Sequence, residues 1–217
     1  MAMEIPLLAV RDVSYHLADK MLLAPLSFTL QQHEIVWLTG ASGSGKTTLL
    51  KILASLLSPT TGTIALRGEE STTLKPETWR RQVSYCFQTP QLFGESVYDN
   101  LAFPWLIRQQ RPEKQALRAS LAQLNLDPEI LGQPITDLSG GERQRVALLR
   151  NLQFPPAVLL LDEVTSALDK ENKAQVKQLI RQTAQQQPMS VLWISHDSQE
   201  IDNGSRIISL TRMDAAQ

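Results

Sequence analysis

The chain has 217 residues, of which 42% are hydrophobic and 20% are charged, so it can bury a core and global disorder is excluded. Its 21 basic and 22 acidic side chains nearly cancel, which leaves no overall electrostatic attraction for wrapping nucleic acid. Cys86 is the single cysteine, so an intramolecular disulfide and a zinc site built from several thiolates are both excluded.

Hydrophobic runs are short along the whole chain. The longest uninterrupted ones, such as Ala157 to Leu161, fall far short of the roughly 20 residues that a membrane-spanning helix needs. The segment from Met1 to Arg11 has no basic stretch ahead of its apolar run and therefore does not resemble a secretory signal. These features predict a soluble protein of a reducing compartment, held at a membrane only by another chain.

The first predicted elements are two antiparallel strands, at Leu7 to Leu17 and Leu22 to Leu30, with a turn near Asp19. A buried-strand run at Ile35 to Leu38 follows, and then a glycine-rich turn and helical spacing over Thr47 to Leu57. Strand, turn and helix in this order predict the opening of a parallel α/β unit.

The remaining pattern predicts an α/β core interrupted by helices. Further buried strands are predicted at Gln82 to Phe87, Val158 to Leu161 and Val191 to Ser195, and helices at Lys170 to Gln187 and after Asp197. Between Thr89 and Phe154 the chain has the pattern of helix and loop, without the strand signals of its two flanks. This block is therefore interpreted as a helical lobe inserted into the α/β core.

A phosphate-binding loop is predicted between the Ile35 strand and the following helix, in the run Gly40-Ala41-Ser42-Gly43-Ser44-Gly45-Lys46-Thr47-Thr48. Its glycines let backbone N–H groups converge on phosphate oxygens, and the helix adds the positive end of its dipole. Lys46 is predicted to reach the β- and γ-phosphates, and the Thr47 hydroxyl to ligate Mg²⁺. The alternative, a flexible turn with a chance lysine, is disfavoured by the strand and helix on either side.

Two adjacent carboxylates, Asp162 and Glu163, end the apolar run that begins at Val158. Beside a phosphate loop, Asp162 can hold Mg²⁺ directly or through water. Glu163 is then the candidate to orient and deprotonate the attacking water. The alternative is a solvated strand end, where acidic residues are common.

A second anion site is predicted at Leu138-Ser139-Gly140-Gly141-Glu142. Ser139 and Glu142 have the spacing of a capping box, which predicts a helix from there to about Phe154. The two glycines let a ligand approach the exposed N–H donors of the first turn. Since paired glycines weaken a helix start, stability alone does not explain them. Arg143 and Arg145 are expected to face solvent or acidic groups on the phosphate side, with no separate function.

At this point the sequence resembles the ATP-binding subunits of ABC transporters, over essentially the whole chain. The motifs occur in the order typical of that family: the phosphate loop, Gln88, Leu138 to Glu142, Leu159 to Glu163, the run Ser166-Ala167-Leu168-Asp169, and His196. The resemblance implies an α/β P-loop NTPase core of the ABC ATPase type, with an N-terminal antiparallel β-subdomain and an inserted helical subdomain. Residues 1–217 would form one domain, with 1–88 and 155–217 as the nucleotide-binding core and 89–154 as the helical signature subdomain.

The resemblance also implies roles for individual residues. Gln88 would sense Mg²⁺, as one of its ligands, and the transmembrane partner, while Leu138 to Glu142 would contact the γ-phosphate bound to a second copy. Ser166 to Asp169 would form the D-loop that links the two sites. His196 would be the switch histidine that contacts the γ-phosphate and supports the water held by Glu163. The implied activity is hydrolysis of ATP with Mg²⁺ by an ATP-dependent, head-to-tail homodimer.

Two positions depart from the family pattern. Val164 stands where a proline usually follows the catalytic glutamate, which should change loop stiffness more than chemistry. Leu17 stands where the aromatic residue that stacks on adenine is normally found. Two alternatives stay open: Tyr15 stacks in its place, or adenine packs on an aliphatic surface.

The resemblance implies a multi-span permease as partner, which would place the subunit in the cytoplasm on the inner face of the cell membrane. The apolar segment Pro90 to Trp105 either receives a short helix of that permease or forms only the lobe's own core. The runs Tyr85 to Pro90, Tyr98 to Leu101 and Asn151 to Phe154 are similar to the ATP-binding subunit of a bacterial iron exporter, which favours export of iron or another metal. The alternative is a soluble ABC ATPase of an assembly system, such as iron–sulfur cluster biogenesis. A nucleotide-dependent interaction module without turnover is disfavoured by the presence of Glu163 and His196.

Overall fold

The structure of the protein, a computed structural model, describes residues 5–195, 197, 200, 201 and 204–211. The chain folds into two compact units. The first comprises Met1–Tyr85, Pro156–Asp162 and Gln187–Gln217, and the second comprises Cys86–Pro155 and Glu163–Gln186. Over the described ranges, every helix is too short or too polar to span a lipid bilayer.

The strands of the described residues are, in chain order, β1 (Leu8–Leu17), β2 (Lys20–Leu30), β3 (Ile35–Gly40), β4 (Thr61–Leu66), β5 (Glu69–Glu70), β6 (Val83–Cys86), β7 (Val158–Asp162), β8 (Ser190–Ile194) and β9 (Arg206–Leu210). The α-helices are α1 (Lys46–Leu53), α2 (Pro76–Gln82), α3 (Val97–Leu106), α4 (Lys114–Ala122), α5 (Gly140–Leu152) and α6 (Lys170–Gln186). Short 3₁₀ turns lie at Ser71–Thr73, Pro128–Gly132 and Ile135–Asp137.

A four-stranded antiparallel sheet lies in the first unit, with its strands in the order β2-β1-β4-β5. Leu8 of β1 pairs with Leu30 of β2 and Leu66 of β4, and all three side chains are buried. Because a slip of one residue would expose these leucines, apolar burial fixes the register of the sheet. The hairpin between β1 and β2 turns at Ala18 and Asp19, as the sequence predicts.

A five-stranded sheet has the order β6-β7-β8-β3-β9, and the pairs β7/β8, β8/β3 and β3/β9 are parallel. Every residue of β7 and β8 is buried, as is typical of central parallel strands. Parallel strands end at one edge of their sheet, so Gly40 at the end of β3 and Asp162 at the end of β7 share that edge. The α/β fold predicted from the sequence is confirmed.

Helix α1 is shorter than predicted and ends at Leu53 instead of Leu57. Ser55 has a positive φ of 55°, a left-handed conformation that ends a helix. The amide of Leu56 then turns back to the carbonyl of Lys51 at 2.8 Å. The helical spacing of apolar residues thus runs past the point where the backbone leaves the helix. The helix predicted after Asp197 includes positions 198 and 199, which lie outside the described residues.

In the second unit, the fully buried Asn100 anchors the loop that precedes α3. Its Nδ2 donates to the carbonyls of Phe93 (2.8 Å) and Ser96 (3.0 Å), and its Oδ1 accepts from the amide of Phe93 (3.1 Å). The guanidinium of Arg150 on α5 donates to the same Oδ1 at 3.0 Å and lies 5.0 Å from the centroid of the Phe93 ring. These contacts hold Phe93 in a fixed orientation.

Candidate nucleotide-binding site

The phosphate loop is shaped by two glycines at which a side chain would collide with neighbouring backbone. Gly40 has a φ of 143°, and a Cβ there would lie 2.4 Å from the carbonyl oxygen of Leu210. Gly45 has a φ of 94°, and a Cβ there would lie 2.5 Å from the carbonyl oxygen of Leu22. Backbone is therefore packed closely against both ends of the loop, which fixes its path between β3 and α1.

Lys46, the first residue of α1, is buried inside the curve of the loop. Its Nζ donates to the carbonyls of Gly40 (2.8 Å) and Ala41 (3.1 Å), so the loop closes around the ammonium group. Among the described residues, no side chain caps the N-terminus of α1. The hydroxyl of Ser44 is buried and has no hydrogen-bond partner within the part of the chain that the structure describes. A buried cation, an uncapped helix N-terminus and an orphaned hydroxyl together form an anion site suited to phosphate.

Asp162 lies at the edge of the sheet beside this loop and is 1% exposed. Its Oδ1 is 3.4 Å from Oγ1 of Thr47, and its Oδ2 accepts a 2.6 Å hydrogen bond from the hydroxyl of Tyr85. Oxygen donors of this kind are what Mg²⁺ prefers, and it takes one or two of them beside phosphate and water. The residues present therefore fit a magnesium site. No group of three or more histidine, cysteine or acidic residues forms a metal cage within the described part of the chain.

Glu163 and Gln88 meet in the second unit. The Nε2 of Gln88 donates to Oε2 of Glu163 at 2.8 Å. Glu163 has a positive φ of 51°, which is strained for a residue with a side chain and is typical of functional positions. Val164, which replaces the usual proline, is buried, and the amide of Ser166 bonds back to the carbonyl of Glu163 at 3.0 Å. A tight turn thus fixes the backbone of Glu163, and the bond from Gln88 holds its carboxylate.

The capping box predicted at Ser139 and Glu142 is confirmed at the start of α5. The amide of Glu142 donates to Oγ of Ser139 (3.3 Å), and Oε2 of Glu142 accepts from the amide (2.8 Å) and the hydroxyl (2.7 Å) of Ser139. The bonds from Ser139 hold the pKa of Glu142 below its ordinary value. Ser139 and Gly140 are exposed, and a Cβ on Gly140 would have nothing within 4 Å. The turn is therefore open to a ligand from outside this unit.

The expectation that Arg145 faces solvent is wrong, because the residue is only 9% exposed. Its other alternative, acidic groups, agrees with the structure, since the guanidinium interacts electrostatically with Glu142 and Asp169. It donates to the carbonyls of Gly141 (3.3 Å) and Leu124 (3.1 Å) and to Oδ1 of Asn172. Burial lowers the pKa of its guanidinium. Arg145 thereby joins the first turn of α5 to the first turn of α6.

Asn172 continues this network into the predicted D-loop. The carboxylate of Asp169 accepts from the backbone amide (2.9 Å) and from Nδ2 (2.7 Å) of Asn172, and these bonds hold the pKa of Asp169 below its ordinary value. A Cβ on Gly141 would lie 3.3 Å from Cδ2 of Leu168. The turn Leu138 to Glu142, called the signature turn below, therefore packs directly on the predicted D-loop. The sequence analysis missed the cap at Asp169, although an acidic residue just before the helix predicted at Lys170 is a signal for it. No local signal marks the contact between Asn172 and Arg145.

The two candidates for the adenine contact differ in exposure. Tyr15 pairs with Leu23 of β2, is half-buried and packs against the hydrophobic core of the first unit. Leu17, at the end of β1, is 60% exposed. His196 lies outside the described residues, so the structure does not describe the switch histidine.

The chain belongs to the ABC transporter family: a family model described as "ABC transporter" matches residues 23–166. It is thus an ATP-binding, ATP-hydrolysing protein of that family. It is 50% identical over 205 residues to the probable iron export ATP-binding protein FetA of Escherichia coli K12, a match that covers 94% of this chain and 91% of the relative.

One further relative has a different described role, and a solved structure shows the same fold. The mycobactin import ATP-binding/permease protein IrtB of Mycolicibacterium thermoresistibile is 36% identical, over 94% of this chain and 36% of its own length. Among solved structures, the dimeric ATP-binding cassette MJ0796, in a post-hydrolysis state bound to ADP and Pi, matches with a TM-score of 0.83 at 26% identity, over 94% of each chain. The resemblance found in the sequence is therefore confirmed, and the fold is that of ABC ATPase cassettes.

Proposed function

We propose that this protein drives a membrane transporter as a homodimer that closes head to tail around two ATP molecules. Each ATP would lie between Gly40 to Thr47 of one copy and Leu138 to Glu142 of the other. The observation that carries this proposal is the helix N-terminus at the signature turn, which is exposed and where a Cβ on Gly140 would have no described atom within 4 Å. The amides of such a helix start are suited to an anion. The dimeric state of the similar cassette MJ0796 supports it.

Each group at the site would have a distinct role in hydrolysis. Lys46, with the loop amides, would bind the β- and γ-phosphates, and Thr47 with Asp162 would hold Mg²⁺, which neutralises phosphate charge when bound. Glu163 would take the proton of the attacking water, and its hydrogen bond to Gln88 would orient the carboxylate. We assign the switch role to His196 from the family pattern. Closure with ATP and opening after hydrolysis would supply the conformational change that the transporter uses.

The partner would bind apolar side chains that the second unit exposes, with the contacting pair Phe93 and Phe103 at the centre of the proposal; the others are Phe87, Leu106 and Ile107. All five side chains are more than one third exposed. The rings of Phe93 and Phe103 are in edge contact, with centroids 4.7 Å apart, and the contacts of Asn100 and Arg150 fix the first of them. Val97 and Leu101 of the segment Pro90 to Trp105 are fully buried, so part of that segment forms the core of the second unit. The exposed part, which includes Phe93 and Phe103, would bind the partner. A short apolar helix of a multi-span permease fits these exposed side chains.

The transported solute is proposed from similarity. FetA, described as a probable iron export protein, matches nearly the whole chain at 50% identity, which supports export of iron or another metal. The permease, not the ATPase, would bind the solute. By this arrangement the subunit works at the inner face of the cell membrane, held there by its partner.

The variant Glu163→Gln tests the catalytic assignment. Without a general base, hydrolysis should slow by about 10²–10⁴-fold while ATP still binds, so that an ATP-dependent dimer accumulates. Turnover is measured as phosphate release and dimerisation by size-exclusion chromatography with light scattering. The control is Glu129→Gln, an exposed residue of the second unit that should behave as wild type. Unchanged turnover in Glu163→Gln would refute the role of Glu163.

Co-purification tests the partner. The wild-type subunit, expressed with its genomic neighbours, should bring down a multi-span membrane protein in stoichiometric amount. Replacing Phe93 and Phe103 together by serine should abolish this, whereas Leu56→Ser, at an equally exposed leucine of the first unit, should not. Recovery of a soluble scaffold protein instead would favour the assembly-system alternative.

A further inference from the structure

Tyr85 makes a contact with the magnesium-site carboxylate that the family motifs do not include. It is the third residue of β6, the strand next to β7, and only 9% of its surface is exposed. Its hydroxyl donates to Oδ2 of Asp162 at 2.6 Å, across 77 positions of sequence. A phenol that donates to a carboxylate oxygen at this distance makes a short O–H···O hydrogen bond.

The contact gives the two oxygens of Asp162 separate partners. Oδ2 is bound to Tyr85, and Oδ1 lies 3.4 Å from the hydroxyl of Thr47. Rotation of the carboxylate about its Cβ–Cγ bond would break the bond to the buried phenol. The phenol therefore selects the orientation in which Oδ1 is presented beside Thr47.

We propose that Tyr85 is a positioning residue for the divalent cation of bound nucleotide, a role that rests on the proposed binding of Mg²⁺–ATP at this site. The phenol supplies no ligand to the cation. It fixes the carboxylate of Asp162, which would be the ligand. In other proteins, loss of a residue that hydrogen-bonds to a metal ligand lowers metal affinity by about 10–100-fold. Because only one hydrogen bond is lost, metal affinity should fall by about tenfold, the lower end of that range.

A purely structural role for Tyr85 predicts a different result. Its ring packs in the core of the first unit, so loss of the ring would destabilise that unit whatever the hydroxyl does. The substitution Tyr85→Phe removes only the hydroxyl and keeps the ring. It therefore separates a role in orienting Asp162 from a role in packing.

The experiment measures equilibrium binding of a fluorescent ATP analogue by the full chain, in the Glu163→Gln background to prevent turnover. Each variant is titrated once with excess Mg²⁺ and once with EDTA. The dissociation constant in EDTA divided by that in Mg²⁺ is the ratio that reports the contribution of the metal. In Tyr85→Phe this ratio should fall about tenfold, with the affinity in EDTA unchanged. In Asp162→Asn the two dissociation constants should become about equal. Tyr98→Phe, at a half-buried tyrosine of the second unit, should leave the ratio unchanged.

Two results would overturn the assignment. In one, Tyr85→Phe binds the analogue as the unsubstituted background protein does under both conditions. In the other, its affinity falls equally with Mg²⁺ and with EDTA, which would mean that the hydroxyl supports the nucleotide site as a whole and not the cation. If the background protein binds no analogue under either condition, the proposed function itself fails, an outcome distinct from both.

Discussion

Arg145 offers a direct test of the network that joins the signature turn to the D-loop. The substitution Arg145→Ala removes a guanidinium that bonds to two backbone carbonyls and to the side chain of Asn172. It also leaves the carbonyl of Leu124 without this donor in a buried position. Because each such bond contributes about 1 kcal/mol net, the free energy of unfolding should fall by about 3 kcal/mol.

For a chain of this size, 1 kcal/mol corresponds to about 2–4 °C in Tm, so Arg145→Ala should melt about 6–12 °C below wild type. Thermal and urea unfolding measure the loss. The neighbouring Arg143, only partly buried, provides the control, and Arg143→Ala should change the free energy of unfolding by no more than about 0.5 kcal/mol.

A double-mutant cycle identifies the contact responsible. Arg145→Ala and Asn172→Ala should be coupled by about 1 kcal/mol or more, because each removes the partner of the other. Additive effects, or a loss in Arg145→Ala no larger than in Arg143→Ala, would refute the network as a source of stability.

The parts of the site that the sequence predicts are those encoded by local spacing. Ser139 and Glu142 lie three positions apart, and the cap they form depends on nothing else in the chain. The glycines of the phosphate loop are likewise recognisable because a strand and a helix flank them. Local patterns therefore predict the capped helix start and the glycine-rich loop without any knowledge of tertiary contacts.

The parts that the sequence does not predict depend on tertiary contacts or on a local backbone choice. Tyr85 reaches Asp162 across 77 positions, and Arg145 reaches Asn172 across 27, so no spacing rule connects them. The end of α1 was misplaced for another reason. Its apolar pattern continues past Ser55, but the left-handed backbone of that residue ends the helix.

Two further predictions concern the nucleotide base and the cysteine. Leu17→Tyr should tighten ATP binding about 3–10-fold, because an aromatic ring at this 60% exposed position can stack on adenine at little cost to folding. Equilibrium binding measures the affinity for ATP. Weaker binding would place the base elsewhere. Cys86 should resist alkylation at pH 8 until the protein unfolds, because burial raises its pKa to about 12 and almost no thiolate is present at pH 8. Rapid labelling of the native protein would contradict this.

The head-to-tail arrangement is tested most directly by mixing two inactive variants. Lys46→Ala disables the phosphate loop. Gly140→Asp places a negative charge at the signature turn, where a Cβ meets nothing within 4 Å, so that it repels phosphate without disturbing the fold. Gly140→Asn is the neutral control for the added side chain.

The decisive measurement is ATP hydrolysis by an equal mixture of Lys46→Ala and Gly140→Asp, compared with each variant alone. If nucleotide is shared between copies, a mixed dimer contains one intact site, made from the phosphate loop of one variant and the signature turn of the other. Random pairing then restores about one quarter of the wild-type rate. If each copy bound and hydrolysed ATP with its own two motifs, the mixture would stay as inactive as its components, and the shared-site account would be wrong.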